Sequence, residues 1–91
     1  MFKPNPKKQV ELKFVELFGR GRKLEVHGAR MTPEECRRRG YRCTTRDGLY
    51  VSELFVDGDL LATAMDRDWR LSYKKLKFEV EKIFADATLS V

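Results

Sequence analysis

The sequence predicts an α+β domain in which an antiparallel sheet of three or four strands carries helices packed on one face. Two observations lead to this prediction. Residues 49–56 and 59–65, the first segment rich in β-branched and aromatic residues, flank Asp57-Gly58, a pair suited to the positive φ angles of a tight hairpin turn. Farther on, an apolar stripe with the period of a sheet-packed helix runs through Leu76, Val80, Ile83, Phe84 and Ala87.

The amino-terminal part of the chain is less clear. Residues 1–8 hold two prolines and three lysines, and we expect a flexible basic arm preceding one domain at residues 9–88. In the next element Val10, Leu12 and Phe14 alternate with polar residues, as in a half-buried strand. Val10, Phe14, Leu17 and Phe18 also fall at helical spacing, so periodicity leaves helix and strand open.

In the middle of the chain, the pattern of apolar and turn residues predicts a strand at residues 24–27, a short helix after Thr32 and another strand at residues 41–45. Thr32 can cap the helix, Pro33 fits its first position and Glu35 can complete a capping box. Gly40 is expected to end that helix.

The last helix is predicted to begin at Ser72, and its start reads Ser72-Tyr73-Lys74-Lys75-Leu76-Lys77. With the preceding strand, turn and strand, this run resembles the carboxy-terminal half of a double-stranded RNA-binding domain, whose helix opens with Ser-Lys-Lys-x-Ala-Lys. Ser72, Lys74 and Lys77 match that pattern, whereas Tyr73 and Leu76 depart from it. The resemblance covers about half of the chain.

The resemblance also bears on the first element and on the middle of the chain. Phe14-Val15-Glu16-Leu17 stands where the family's first helix carries Leu-x-Glu-Leu, which favours a helix and implies that Glu16 faces an RNA minor groove. The family order is helix, three strands, helix, so residues 29–48 are an insertion or add a strand. The family's Gly-Pro-x-His loop motif is absent, and His27 does not supply it.

The charge of the chain is unevenly distributed. Residues 1–46 hold 13 Lys or Arg against five Glu, a balance of +8, and residues 47–91 hold six against nine acidic residues, a balance of −3. The basic half includes Arg37-Arg38-Arg39, with Arg42 close by. This asymmetry indicates an anionic partner, with nucleic acid the leading class and an acidic protein the other.

We therefore expect a module that binds double-stranded RNA through phosphate contacts and reads shape rather than base sequence. The expected binding residues are Ser72, Lys74, Lys75, Lys77, Glu16, Arg37, Arg38, Arg39 and Arg42. The alternative is a protein-interaction module on the same fold, an adaptor or small inhibitor, with Tyr73 and Phe78 at its interface. In that case residues 59–65 could also pair with a second copy of the chain.

Other function classes find little support in the sequence. One histidine, with no nucleophile–base set and no phosphate-binding glycine loop, predicts a protein that is not an enzyme and uses no cofactor. Cys36 and Cys43 do not have zinc-site spacing and are expected to be reduced thiols of an intracellular protein. No apolar run suits a membrane span. Trp69 is expected to fill the edge of the core rather than stack on a base.

Overall fold

The computed structural model describes residues 5–42 and 46–89 as one sheet with helices packed on it. The elements in chain order are α1 (Pro6–Phe18), β1 (Leu24–Met31), α2 (Pro33–Arg38), β2 (Leu49–Val56), β3 (Asp59–Asp66) and α3 (Trp69–Leu89). The sheet is antiparallel with strand order β1-β2-β3, so the predicted α+β class is confirmed, and α2 lies in the connection between β1 and β2. Within the described ranges, no helix has the length and apolar character needed to cross a bilayer.

The hairpin of β2 and β3 follows the sequence prediction closely. Asp57 has a φ of 53° and Gly58 a φ of 88°, the positive pair that the Asp-Gly turn predicts. β1 is longer than predicted and pairs along its whole length with β2, from Leu24 opposite Val56 to Met31 opposite Leu49. The strand predicted at residues 41–45 is not found at 41 and 42, and residues 43–45 lie outside the described part of the chain.

The first element is a helix, and it begins earlier than predicted. The Asn5 side chain accepts a hydrogen bond from the Lys8 backbone N–H (2.8 Å), and Pro6 occupies the first helical position. Residues 6–8 therefore form the first turn of α1 and do not belong to an arm. Residues 1–4 of the predicted arm lie outside the described residues.

The two other helices differ in how well their starts were predicted. α2 begins as expected, because the Thr32 side chain accepts from the Glu35 N–H (3.2 Å). α3 begins at Trp69 and not at Ser72, since the Asp68 carboxylate accepts from the backbone N–H groups of Arg70 (2.8 Å) and Leu71 (3.4 Å). An aspartate cap four residues upstream thus places Ser72 inside the helix.

The core lies between the sheet and the paired helices α1 and α3. Val26, Leu54 and Ala62 pair across the three strands and therefore lie on the same face of the sheet. All three belong to the core, so this face packs against the helices. The helices contribute the remaining large apolar residues, which include Val10, Phe14, Leu76 and Val80. The opposite row, His27, Glu53 and Thr63, faces away from them because side chains alternate along a strand.

Polar groups are also buried at the start of α3. The Ser72 hydroxyl donates to the Ser52 hydroxyl (2.8 Å), which in turn donates to the Ser72 carbonyl (3.0 Å). The hydroxyls of Tyr50 and Tyr73 form a hydrogen bond of 2.9 Å. Gly28 of β1 lies against this tyrosine pair, and a Cβ atom at that position would collide with both hydroxyls.

We predict that Gly28→Ala lowers the free energy of unfolding by about 2 kcal/mol, because overpacking forces the tyrosines off their positions. Denaturant unfolding measures this loss. In a Tyr50→Phe/Tyr73→Phe background the same substitution should cost less, since the colliding oxygens are gone. An equal loss in both backgrounds would contradict the packing role of Gly28.

Candidate nucleic-acid interface

A surface of mixed polar and apolar residues is formed where α1 lies beside the first half of α3, and it includes the exposed side chains of Leu12 and Leu71. Two shallow concavities of about 290 and 390 Å³ lie along it, and both are lined by Gln9 and Lys77. We call it the helix surface and define it by Gln9, Lys13, Glu16, Arg70, Lys74 and Lys77. Three of the residues expected from the sequence, Glu16, Lys74 and Lys77, meet here although they come from opposite ends of the chain.

Three cations of this surface, Arg70, Lys74 and Lys77, form no ion pair with a carboxylate among the described residues. None of the ion pairs between described residues involves these side chains. Glu81 could have paired with Lys77 at i, i+4 spacing but contacts Lys13 of α1 instead (3.5 Å). Both lysines therefore remain available to an anionic ligand.

Lys13 ties the two helices together by contacting a carboxylate on each of them. Its ammonium lies 2.8 Å from Glu16 of α1 and 3.5 Å from Glu81 of α3. The hydrogen bond from Lys13 lowers the pKa of Glu16, and the charge of Lys77 adds a smaller effect in the same direction. Glu16 is therefore an ionised hydrogen-bond acceptor at neutral pH.

Lys75 lies apart from the helix surface, contrary to its expected grouping with Lys74 and Lys77. Its ammonium contacts the Asp66 carboxylate at 2.7 Å and the Met65 carbonyl at 3.4 Å, both at the end of β3. Because of the Lys75 hydrogen bond, the pKa of Asp66 is lowered. Lys75 holds the start of α3 against β3, so it is not a free phosphate ligand.

Ser72 and Tyr73 are both inaccessible, which corrects two expectations. Ser72 is fully buried and its hydroxyl is used by Ser52, so it cannot contact nucleic acid. Tyr73 is 2% exposed, and burial together with the Tyr50 hydroxyl raises its pKa. A residue in this position cannot form a protein interface. Both side chains point inward because they precede Leu76 by four and three residues and so lie on the buried face of α3.

The arginines of the middle segment are exposed but lie on a different surface. Arg39 pairs with Glu35 (3.3 Å) and lines a concavity of about 510 Å³ that includes His27 and Thr63 of the outward sheet face. The four arginines expected to bind nucleic acid line neither concavity of the helix surface. These residues are Arg37, Arg38, Arg39 and Arg42. α2 and α3 do start at the same end of the sheet, because Met31 pairs with Leu49, and Tyr50 with Asp66.

Two aromatic side chains are partly exposed on α3. Phe78 is 51% exposed, as its helical position predicts, and lines a concavity of about 540 Å³ beside β3 with Lys75, Glu79 and Lys82. Trp69 is 41% exposed, although it was expected to fill the core edge. Its indole makes an edge contact with the buried Tyr73, at 6.3 Å between ring centroids.

Three residues of the helix surface were not expected from the sequence: Gln9, Lys13 and Arg70. On α1, Gln9, Lys13 and Glu16 fall at i, i+4 and i+7, so they share one face once the element is known to be a helix. Arg70 belongs to the first turn of α3, which the Asp68 cap would have revealed. The spacing on α1 and the Asp68 cap of α3 are both present in the sequence, but they identify these surface residues only when the helix boundaries are known.

Comparison with known proteins gives no assignment for this chain. No family model, no curated protein and no solved structure matches it. The helix surface must therefore be interpreted from its own geometry and charge.

We predict that Lys13→Met returns the pKa of Glu16 to the ordinary glutamate range, because the principal hydrogen bond that lowers it is removed. Carboxyl chemical shifts followed by NMR as a function of pH measure this change. In the unaltered protein the pair persists above the ordinary glutamate pKa and is lost as the pH falls through the lowered value. An unchanged Glu16 titration in the variant would contradict the pairing.

Proposed function

We propose that this protein is a nucleic-acid-binding module that holds double-stranded RNA on the helix surface. The observation that carries the proposal is the position of Lys74 and Lys77, two cations that form no ion pair with any described carboxylate, beside Gln9 and Glu16 of a second helix. The predicted resemblance to double-stranded RNA-binding domains supports the same assignment through Lys74, Lys77 and Glu16, whereas Ser72, the third matching residue at the start of α3, is buried.

The two lysines suit the phosphates on either side of a groove. Lys74 and Lys77 are separated by three residues on α3, so their ammonium groups project from one side of the helix. Binding phosphates would require breaking no ion pair at either lysine. Both stand in the second and third turns of α3, where the helix dipole is weak, so their own charges must provide the attraction.

The polar residues of α1 give the surface a means of distinguishing RNA from DNA. Glu16 is ionised and Gln9 has an amide, so the pair offers both acceptors and donors towards a minor groove lined with 2′-hydroxyl groups. A carboxylate is repelled by phosphate, and it therefore favours a ligand position where hydroxyl groups face it. This arrangement agrees with recognition of shape and sugar rather than of base sequence.

The exposed arginines add attraction at a distance from the helix surface. Arg37, Arg38 and Arg42 are exposed at the end of the sheet where α3 begins. In the proposed complex they contact phosphates where the family uses the loop between its first two strands. These contacts increase affinity without adding sequence preference.

We predict that Lys74→Ala/Lys77→Ala weakens binding to a 20-base-pair RNA duplex at least tenfold. The negative log–log slope of affinity against salt should also fall by about 2, because roughly one counterion is released per phosphate contact. Fluorescence anisotropy at two salt concentrations measures both quantities.

A matched control accompanies this measurement. Lys75→Ala/Lys82→Ala also removes two positive charges from α3, but at ammonium groups that contact Asp66 and Glu79. This control should weaken binding less than twofold. If it costs as much as Lys74→Ala/Lys77→Ala, charge alone governs binding. If the unaltered protein does not bind the duplex at moderate salt, the proposed function is wrong.

A second candidate function, protein interaction, is favoured by one surface. β3 is an edge strand, and Leu60 on it is 52% exposed. Phe78 of α3 stands beside the same strand, next to Thr63 and Met65. An unpaired strand edge with neighbouring exposed apolar residues can add a strand from another chain, and a second copy is the simplest partner.

Under this second function, Phe78→Ala should lower self-association at least fivefold, because a large apolar side chain is lost from the contact. Sedimentation equilibrium measures the dimer constant. RNA affinity should stay within twofold of the unaltered protein, since Phe78 lies outside the helix surface. A chain that remains monomeric at high protein concentration would exclude pairing of two copies through β3.

A further inference from the structure

We propose that Trp69 stacks on an unpaired nucleobase next to the duplex, so that the protein prefers RNA duplexes with an overhanging nucleotide. The inference rests on the proposed function and adds a ligand preference that Lys74 and Lys77 do not explain. It starts from an exposed tryptophan at the beginning of α3 with cationic side chains around it.

The indole of Trp69 has neighbours on two sides and remains partly exposed. It makes an edge contact with the Tyr73 ring, at 6.3 Å between centroids with an interplanar angle of 83°. The Arg70 guanidinium lies over one face of the indole, its carbon 5.3 Å from the ring centroid, so a base would stack on the opposite face. With 41% of the residue exposed, Trp69 offers aromatic surface to solvent from a rigid helical position. Such a preorganised ring binds without a large entropic cost.

The charges around Trp69 favour a nucleotide over an apolar peptide. Arg70 and Lys74 line the neighbouring concavity of the helix surface. The Arg30 side chain reaches the Arg67 carbonyl (3.2 Å), which brings another cation to this end of the sheet. Asp68, which precedes Trp69 in the chain, accepts two hydrogen bonds from the backbone of α3.

The structure of duplex RNA explains why the stacked base must be unpaired. Paired bases are covered on both faces by their neighbours, whereas an overhanging base has a free face. Stacking on tryptophan is tolerant of base identity because every base has a π face, and nearby arginines strengthen it. The phosphate of the same nucleotide can then lie towards Arg70 or Lys74. The preference is therefore for an unpaired base of any kind.

The test compares three RNA ligands on the full chain. The first is a blunt 20-base-pair duplex, the second carries one unpaired 3′ nucleotide on each strand, and the third carries an abasic nucleotide at those positions. The chain has a single tryptophan, so its intrinsic fluorescence reports on Trp69 alone. Affinity is measured in parallel by anisotropy of a labelled strand.

We expect the base-bearing overhang to bind about fivefold tighter than the abasic one, as stacking of one base provides (about 1 kcal/mol). It should also quench Trp69 fluorescence more strongly than the blunt duplex. Trp69→Ala should abolish the difference between base-bearing and abasic overhangs, and Trp69→Phe, which keeps an aromatic ring, should retain part of it. Phe78→Ala, the other exposed aromatic residue of α3, should leave the difference unchanged.

The failures of the two proposals are distinguishable. Equal affinities and equal quenching for base-bearing and abasic overhangs, with the blunt duplex still bound, overturn the stacking role of Trp69 and leave the helix surface as the RNA site. Absence of binding to all three duplexes overturns the proposed function, and the overhang preference with it. The base-bearing and abasic ligands are compared on the same unaltered protein. The conclusion therefore does not depend on whether a protein variant folds.

Discussion

The attachment of the start of α3 to the sheet is the constraint on which the rest of the structure depends. Ser72 hydrogen-bonds to Ser52 beneath the helix, and Tyr73 reaches across to Tyr50 in the space that Gly28 leaves open. Buried hydroxyls are costly unless they are paired, so these bonds favour one rotation and one height of the helix over the strands. The rotation and height of α3 in turn determine which of its surface residues face α1 and which face β3.

With the rotation fixed, the helix divides its charged residues between two sides. Lys74 and Lys77 lie towards α1, where Lys13 occupies the carboxylates that could have neutralised Lys77. Lys75, between them in sequence, lies towards β3 and is neutralised by Asp66. Three lysines within four residues thus have two different roles, one in ligand binding as proposed and the other in holding the helix on the sheet.

The sequence was informative where a local pattern determines the structure. The Asp57-Gly58 hairpin, the α2 cap and the stripe of α3 are recognisable because each depends on residues within a few positions of one another. The start of α3 was placed three residues late because Ser72 looks like a cap, and nothing local shows that its hydroxyl is buried against Ser52. The same error made Ser72 and Tyr73 appear accessible. The partners of Lys13 and Lys75 depend on contacts between distant segments, which periodicity does not reveal.

The two ends of the sheet are held in different ways. At the hairpin end, Asp57 joins the turn to the residue before β1, because its N–H donates to the Lys23 carbonyl (2.8 Å) and its carboxylate accepts from the Lys23 N–H (3.0 Å). One backbone hydrogen bond and one bond to the Asp57 side chain close that end. At the other end, α2 and the residues after it connect β1 to β2. Changes in length are therefore best tolerated there, and the connection could be lengthened or shortened during evolution while the hairpin and its closure were retained.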